Sequence, residues 1–415
     1  MNRREIARLD RELSAYVDGL LDGMGRKERV RAMGWYITGL LLDGDRKSIE
    51  PMAARLVDDA AEIQAMRQRL QQAVTVSDWS DAEIWSRLGL KIERELPGIE
   101  AIVIDDTGFA KKGAHSVGVS RQYSGTLGRV DNCQVAVSVH LASERGSACG
   151  GMQLYLPGSW ASDPTRRAKA GIPDAVSFKP KWQIALDLLD GTRASGIARH
   201  VVLADAGYGE ITAFRDALME RAYSYVVGVP GTIVVWPPGV GPVPPSEQPK
   251  ATRGRPRTRH ATGEDKPSTI LELATALGRD NCRVISWREG SRHLQRSRFG
   301  AVRVRTAHRH VQGDAPGLEQ WLLYEWPKGE DEPTKFYLSN LDARTALKRL
   351  VYLAKLRWRV ERDYQELKQE IGLDHFEGRS WKGFHHHAAL CAVAHGFLAL
   401  RRALSPPEPS AVDAS

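Results

Sequence analysis

The sequence predicts an α/β protein with an all-helical segment at its N-terminus. Three observations predict it. Helical periodicity with few breaks runs to about residue 96, short apolar runs and alternating segments take over from Pro97, and the helical period returns from Ala343. Strands interleaved with helices in the middle of the chain imply a mixed sheet covered by helices.

Taken in order, helical patterns cover Arg3–Leu21, Arg26–Leu42, Ser48–Arg55, Ala60–Ala73 and Asp81–Leu96, with breaks at Asp43-Gly44-Asp45 and Thr75–Asp78. Their polar faces are rich in Arg. A plain helical bundle and a groove-reading DNA-binding module fit this pattern equally. Ile99–Ile104 then reads as a short buried strand ending in Asp105-Asp106. Ser116–Gln122 and Cys133–Leu141 alternate like strands around a Gly-rich turn at Ser124–Gly128, which predicts an antiparallel meander. Gly151–Leu156 is a further strand, Lys181–Ser195 a helix, and His200–Leu203 a buried strand ending in Asp205. A helix at Ile211–Arg221 and a strand at Ser224–Val229 follow.

Regularity is interrupted at Pro237–His260, a run of Pro, Gly and Arg that reads as a loop. Within it, Arg253-Gly254-Arg255-Pro256-Arg257 has the form of an arginine hook for a minor groove, and equally of a solvated basic loop. Arg279 to Arg309 carries nine Arg against two acids, Asp280 and Glu289, on strand-like runs at Cys282–Trp287 and Ala301–Thr306. Trp321–Trp326 and Lys335–Ser339 are two more strands. Leu350 to Trp381 reads as a helix stopped at Gly372. Arg357, Glu361, Tyr364, Gln365 and Lys368 fall on one stripe of it. Such a stripe is either a solvated face with i,i+4 ion pairs or a functional face. A helix at His386–Ala403 closes the fold. The expected segments are therefore 1–96 (helical, DNA-binding), 97–230 (first part of the core), 231–342 (β-rich basic insertion), 343–405 (closing helices) and 406–415 (disordered tail).

Composition narrows the partners. A net charge of +8 and a pI near 9.3 favour a polyanion, nucleic acid before membrane. No apolar run reaches membrane-spanning length, and the charged start MNRREIARLDRELSAY does not resemble a signal peptide. The four cysteines are scattered without a CxxC pair, so neither zinc nor a disulfide framework is expected, and the compartment expected is a reducing, intracellular one.

Two acids at strand ends, Asp105 and Asp205, and a third on a later helix, Glu361, form a candidate constellation. Singly, each has a structural explanation: a turn, a helix cap, an i,i+4 pair. Together, three carboxylates need a cation to stay ionised side by side, and an all-oxygen set suits Mg²⁺ or Mn²⁺. Two such ions about 3.5–4 Å apart serve in-line phosphodiester displacement.

The chain resembles bacterial insertion-sequence transposases of the DDE superfamily. The resemblance is carried by Val103–Gly113 (VIDDTGFAKKG) and its continuation SVGVSRQYSGTLGRVDNCQVAVSVHLAS, by LYLPGSW at Leu154–Trp160, by LADAGYG at Leu203–Gly209, and by RWRVERDYQELKQEIGLDHFEGRSW from Arg357. GLLLDGDRKSIEPMA adds to it near the N-terminus. It implies an RNase H-like core with a β-rich insertion between the second Asp and the Glu. It also implies metal ligation by Asp105, Asp205 and Glu361, with two Mg²⁺ or Mn²⁺ ions. Asp105 is preferred to Asp106 because the second acid varies in the family pattern. Arg357-x3-Glu361-x6-Lys368 matches the last three members of the family's Tyr-Arg-Glu-Lys signature and selects Glu361 over Glu366 and Glu370. The Tyr position is Ala354, so that element is absent or displaced to Tyr352. Arg357 and Lys368 are expected at phosphates, and Lys111, Lys112, Arg253 and Arg255 on DNA. The implied substrate is double-stranded DNA, at element ends and target. The implied active form is a homodimer on that DNA, in the bacterial cytoplasm at the nucleoid. The alternatives are a nuclease of the same fold that does not join strands and a domesticated DNA-binding protein.

Overall fold

The computed structural model of the protein describes residues 3–249, 257–289, 294–308 and 310–404. The chain divides into two compact units, one joining residues up to Ala198 to those from Arg359, the other running from Arg199 to Trp358.

The first unit begins with helices α1 (Arg3–Leu21), α2 (Lys27–Leu41), α3 (Ile49–Leu56), α4 (Ile63–Gln71) and α5 (Asp81–Glu95). Strands β1 (Ala101–Ala110), β2 (Ser120–Ser124), β3 (Arg129–Ala142) and β4 (Ser147–Leu154) follow, then α6 (Gly158–Ala161), α7 (Pro164–Ala170) and α8 (Lys181–Ala194). The long strand β3 is central. It pairs antiparallel with β1 on one edge and with β2 and β4 in succession on the other. The order thus differs from the expected meander, because β1 and β2 are separated by β3. The expected strand at Ser116–Gln122 also shifts, to Ser120–Ser124. The expected end of the first strand is corrected as well. β1 continues through Asp105 and Asp106 to Ala110, because β3 is long enough to pair with it residue by residue, Ala101 with Ala142 to Ala110 with Cys133.

In the second unit β5 (Val201–Ala204), α9 (Ala206–Gly209), α10 (Thr212–Glu220) and β6 (Tyr225–Val229) precede β7 (Val234–Trp236), β8 (Ser268–Thr269) and α11 (Ile270–Leu277). Strands β9 (Arg283–Trp287), β10 (Gln295–Thr306), β11 (Glu319–Trp326) and β12 (Lys335–Ser339) lead to α12 (Leu347–Leu356). β5 and β6 are parallel. β12 joins the other edge of β6 antiparallel, and β11, β10, β7 and β8 continue outward from it. The Arg-rich strands therefore extend the β5–β6 sheet. Two of their Arg side chains, and Arg279 in the turn before β9, are spent on backbone carbonyls: Arg279 on Pro327 and Glu330, Arg303 on Glu319 and Leu341, Arg305 on Gly317. Inside this unit Lys355 pairs with Glu325 at 2.7 Å, both nearly buried, with its ammonium 4.5 Å from the Trp287 ring centroid.

The first unit is completed by α13 (Trp358–Gln369) and α14 (Trp381–Leu404). The single helix expected from Leu350 is thus two, interrupted at Arg357. α14 is buried on all sides, as a helix apolar around its whole girdle must be. The N-terminal helices pack around it. Tyr16 donates its hydroxyl to Val393 O at 3.1 Å, Tyr36 Oη meets His387 Nδ1 at 2.8 Å, and Trp79 stacks on His386 with centroids 3.6 Å apart. Burial lowers His386 and His387 to about 4, so both rings are neutral packing elements. Among the described residues, no helix is long and apolar enough to cross a membrane.

Candidate active site

Asp105 sits in mid-strand on β1, opposite Ser138 of β3. Residues directly opposite share a sheet face. Ser138 Oγ lies 2.7 Å from the hydroxyl of Tyr364 on α13, so α13 covers the face that bears Asp105. Asp106, the next residue, belongs to the other face and is ion-paired with Lys181 at the start of α8. The two adjacent acids, equivalent in composition, are thus divided by the pleat. One faces the helix that carries Glu361 and the other faces a lysine.

A buried polar chain fastens α13 to this sheet. Ser138 Oγ also meets His140 Nε2 at 2.9 Å, His140 Nδ1 meets Asp363 Oδ2 at 2.7 Å, and Ser147 donates to Asp363 Oδ1 at 2.7 Å. Burial would depress the His140 imidazole, but the adjoining Cys149 sulfur and the Asp363 carboxylate outweigh it and raise it to about 10. Burial, with the charge of Asp105 adding to it, pushes the Tyr364 phenol well above its ordinary value, so it stays a neutral hydrogen-bonding group.

The acids of α13 separate by face as well. Glu361 is exposed, three residues before Tyr364. Glu366 is buried and turned toward α14. Burial alone would raise it, but His395, Arg402 and Arg362 hold it well below the usual carboxylate range. Glu370 pairs with Arg402 at 3.6 Å. Both rivals of Glu361 are thus engaged in holding α14.

Lys368, at the other end of α13, lies along β1. Its ammonium donates to Gly108 O at 2.9 Å and Thr126 Oγ1 at 3.2 Å, and burial lowers it to about 8. The Gly of DTGF is required here: a Cβ on Gly108 would fall 1.9 Å from Ser124 Oγ. Lys111 donates to Phe376 O at 2.9 Å and Lys112 is exposed. Arg357 caps the C-terminus of α12. Arg253 and Arg255 lie outside the described residues.

Asp205, in the second unit, is held differently. It stands at the end of β5 and N-caps α9, accepting from Tyr208 N at 3.3 Å. The short helix lies so close to β6 that a Cβ on Gly209 would fall 1.9 Å from Gly228 O, which accounts for the glycine in LADAGYG. Buried Arg215 donates to Gly209 O and, at 3.0 Å, to Thr212 Oγ1, anchoring the turn after Asp205. Sequence reasoning missed Arg215, Lys181, His140 and Asp363. The one available signal was Ser138 and His140, two polar residues at alternate inward positions of an otherwise apolar strand.

The candidate donors are carboxylate oxygens, which suit a hard divalent cation. Among the described residues, no three His, Cys, Asp or Glu side chains stand grouped to hold a metal ion.

The chain matches the DDE superfamily endonuclease family over residues 19–294, and so belongs to that family. The matched region takes in Asp105 and Asp205 and ends before Glu361. Over 167 residues the chain is 35% identical to a probable transposase for insertion sequence element IS701 from Microchaete diplosiphon. That stretch is 39% of this chain and spans 40% of the relative's length.

Proposed function

We propose that this DDE endonuclease is a transposase that cleaves the ends of an insertion sequence and joins them to double-stranded target DNA as a homodimer. The observation that carries the reading is the family match across Asp105 and Asp205. The likeness to a probable IS701 transposase supports the narrower activity. Asp105, Asp205 and Glu361 would hold two Mg²⁺ or Mn²⁺ ions, and Arg357, Lys368, Lys111, Lys112, Arg253 and Arg255 would contact the DNA. When bound, the cations polarise the phosphodiester and stabilise the attacking and leaving oxygens of an in-line displacement.

The chain's own residues do the rest. The pleat of β1 presents Asp105 to the helix face and leaves Asp106 neutralised by Lys181. Tyr364 and Asp363 fix the height of α13 over β1, and so the place of Glu361. Lys368 holds a positive charge beside β1 that would meet a phosphate oxygen. In cleavage, water attacks phosphorus: a new P–O bond forms, the P–O3′ bond breaks, and a proton from the water goes to O3′, leaving a 5′-phosphate and a 3′-hydroxyl. Joining uses that hydroxyl on a target phosphodiester and releases a target 3′-oxygen.

A plasmid carrying the native element's ends tests this. Incubation with Mg²⁺ is expected to give double-strand breaks at the element boundary and joined products, EDTA to give neither, and Ca²⁺ to support binding alone. Cleavage with no joined product would leave a nuclease, and binding with no cleavage a DNA-binding protein.

A further inference from the structure

Beyond the acids, a basic cleft of about 300 Å³ opens beside the end of β1 in the first unit. Three separate stretches build it. Arg46 comes from the loop between α2 and α3, Lys111, Lys112 and His115 from the loop after β1, and Arg379 from the loop between α13 and α14. Four permanent cations face two acids, Asp374 and Glu377. Glu377 is already paired with Arg46 at 3.4 Å. Among the described residues, the side chains of Lys112, His115 and Arg379 have no hydrogen-bond or ion-pair partner.

The walls are held in place before any ligand arrives. Asn132 donates to Lys111 O at 2.6 Å and Gly113 O at 3.1 Å, fixing the loop that carries both lysines. Val117 N donates to Arg379 O at 3.2 Å. Lys47 N donates to His375 Nδ1 at 3.0 Å, which ties the Arg46 loop to the opposite wall. Gly372, at φ +82°, permits that approach, since a Cβ there would fall 2.5 Å from Lys47 Cβ. A preformed pocket with unpaired cations at its mouth and a volume at the lower limit of ligand sites suits one small, multiply accepting anion.

We propose that this cleft grips a backbone phosphate of the duplex whose cleavage is centred at Asp105. The inference rests on the proposed function and adds where the duplex is held. Six residues separate Asp105 from Lys111 along β1 and its end. At roughly 3.3 Å per residue that is about 20 Å, the length of about six base pairs at 3.4 Å each. A duplex lying along β1 would meet the cleft about six base pairs from the scissile phosphate. Lys368, docked between them at Gly108, continues the positive track.

The test uses the full chain and duplex oligonucleotides carrying the element's end, with affinity read by fluorescence anisotropy over a series of salt concentrations. The Lys112→Gln/Arg379→Gln double variant is expected to flatten the log–log salt slope by about 1. Arg46→Gln, whose side chain is exposed, is expected to act in the same direction and guards against a folding artefact. A neutral methylphosphonate placed about six nucleotides from the cleavage site is expected to remove the difference between wild type and double variant. One placed at the far end of the duplex is expected to leave it. Wild-type binding and cleavage with an unchanged slope in both variants would overturn the subsite and leave the proposed function standing. Failure of the wild-type chain to bind any duplex would overturn both.

Discussion

Asp105 lies within a strand of ten residues whose backbone is paired throughout, whereas Asp205 ends a strand of four and caps a single helical turn. At Asp105 the main chain is fixed by the ladder to β3, and the side chain accepts from the N–H of Asp106 at 2.8 Å. The helix over it is fixed separately, by the Tyr364–Ser138–His140–Asp363 chain. At Asp205 the side chain is itself part of the support, with Arg215 and Gly209 bearing the remainder. A carboxylate is thus held once on a rigid ladder with a buried polar brace and once on a cap. The two respond differently to substitution.

The largest effect is expected at the brace. Asp363→Asn leaves the fully buried His140 without its counter-charge, which costs about 3–5 kcal/mol in other buried pairs. The sign with pH follows from the raised imidazole. The stabilisation is complete below the unfolded value near 6.5 and is lost as pH rises through about 10. Chemical denaturation at several pH values is expected to show the gap between wild type and Asp363→Asn narrowing from pH 6.5 to 10. A gap constant over that interval would mean that His140 is neutral and the brace is an ordinary hydrogen bond.

Beyond the polar pair Ser138 and His140, the brace was not legible in the sequence for a physical reason: its two halves, on β3–β4 and on α13, stand more than two hundred residues apart. Asp205 was legible, because a buried strand that ends in Asp-Ala-Gly changes period where the backbone turns. Asp105 was legible as a candidate but not in its setting. The apolar run stops at Ile104, yet strand pairing is a backbone property and continues wherever the partner does. The break at Arg357 had no Pro or Gly to announce it, so two helices read as one. The stripe of Glu361, Tyr364 and Lys368 was legible because all three fall on α13, where helical spacing is preserved.

A smaller effect is expected at the cap. Asn accepts as well as Asp at an N-cap, so Asp205→Asn is expected to keep wild-type stability while Asp205→Ala loses about 1 kcal/mol. Both are expected to be inactive. Equal melting temperatures for the two variants would show that α9 is held by Gly209 and Arg215 alone. A subtler effect concerns Lys368. With its ammonium lowered to about 8, kcat/KM for cleavage is expected to fall as pH rises through that value. Lys368→Arg, which keeps its charge, is expected to lose the alkaline fall even though its fork fits the site less well. An alkaline limb unchanged by this substitution would assign it to another group.

The most direct test of the account is the pair Asp105→Asn and Asp106→Asn, assayed for Mg²⁺-dependent cleavage of element-end DNA with folding checked by circular dichroism. The two acids are neighbours in sequence and differ only in which side of β1 they occupy. The account predicts that Asp105→Asn loses cleavage by on the order of a thousandfold, several kcal/mol of lost transition-state stabilisation. It predicts that Asp106→Asn, which only loosens the half-buried pair with Lys181, stays within about tenfold of wild type, since an ion pair still in reach of solvent is worth about 0–1 kcal/mol. Cleavage that survives Asp105→Asn and vanishes with Asp106→Asn would place the chemistry on the α8 face and contradict the account.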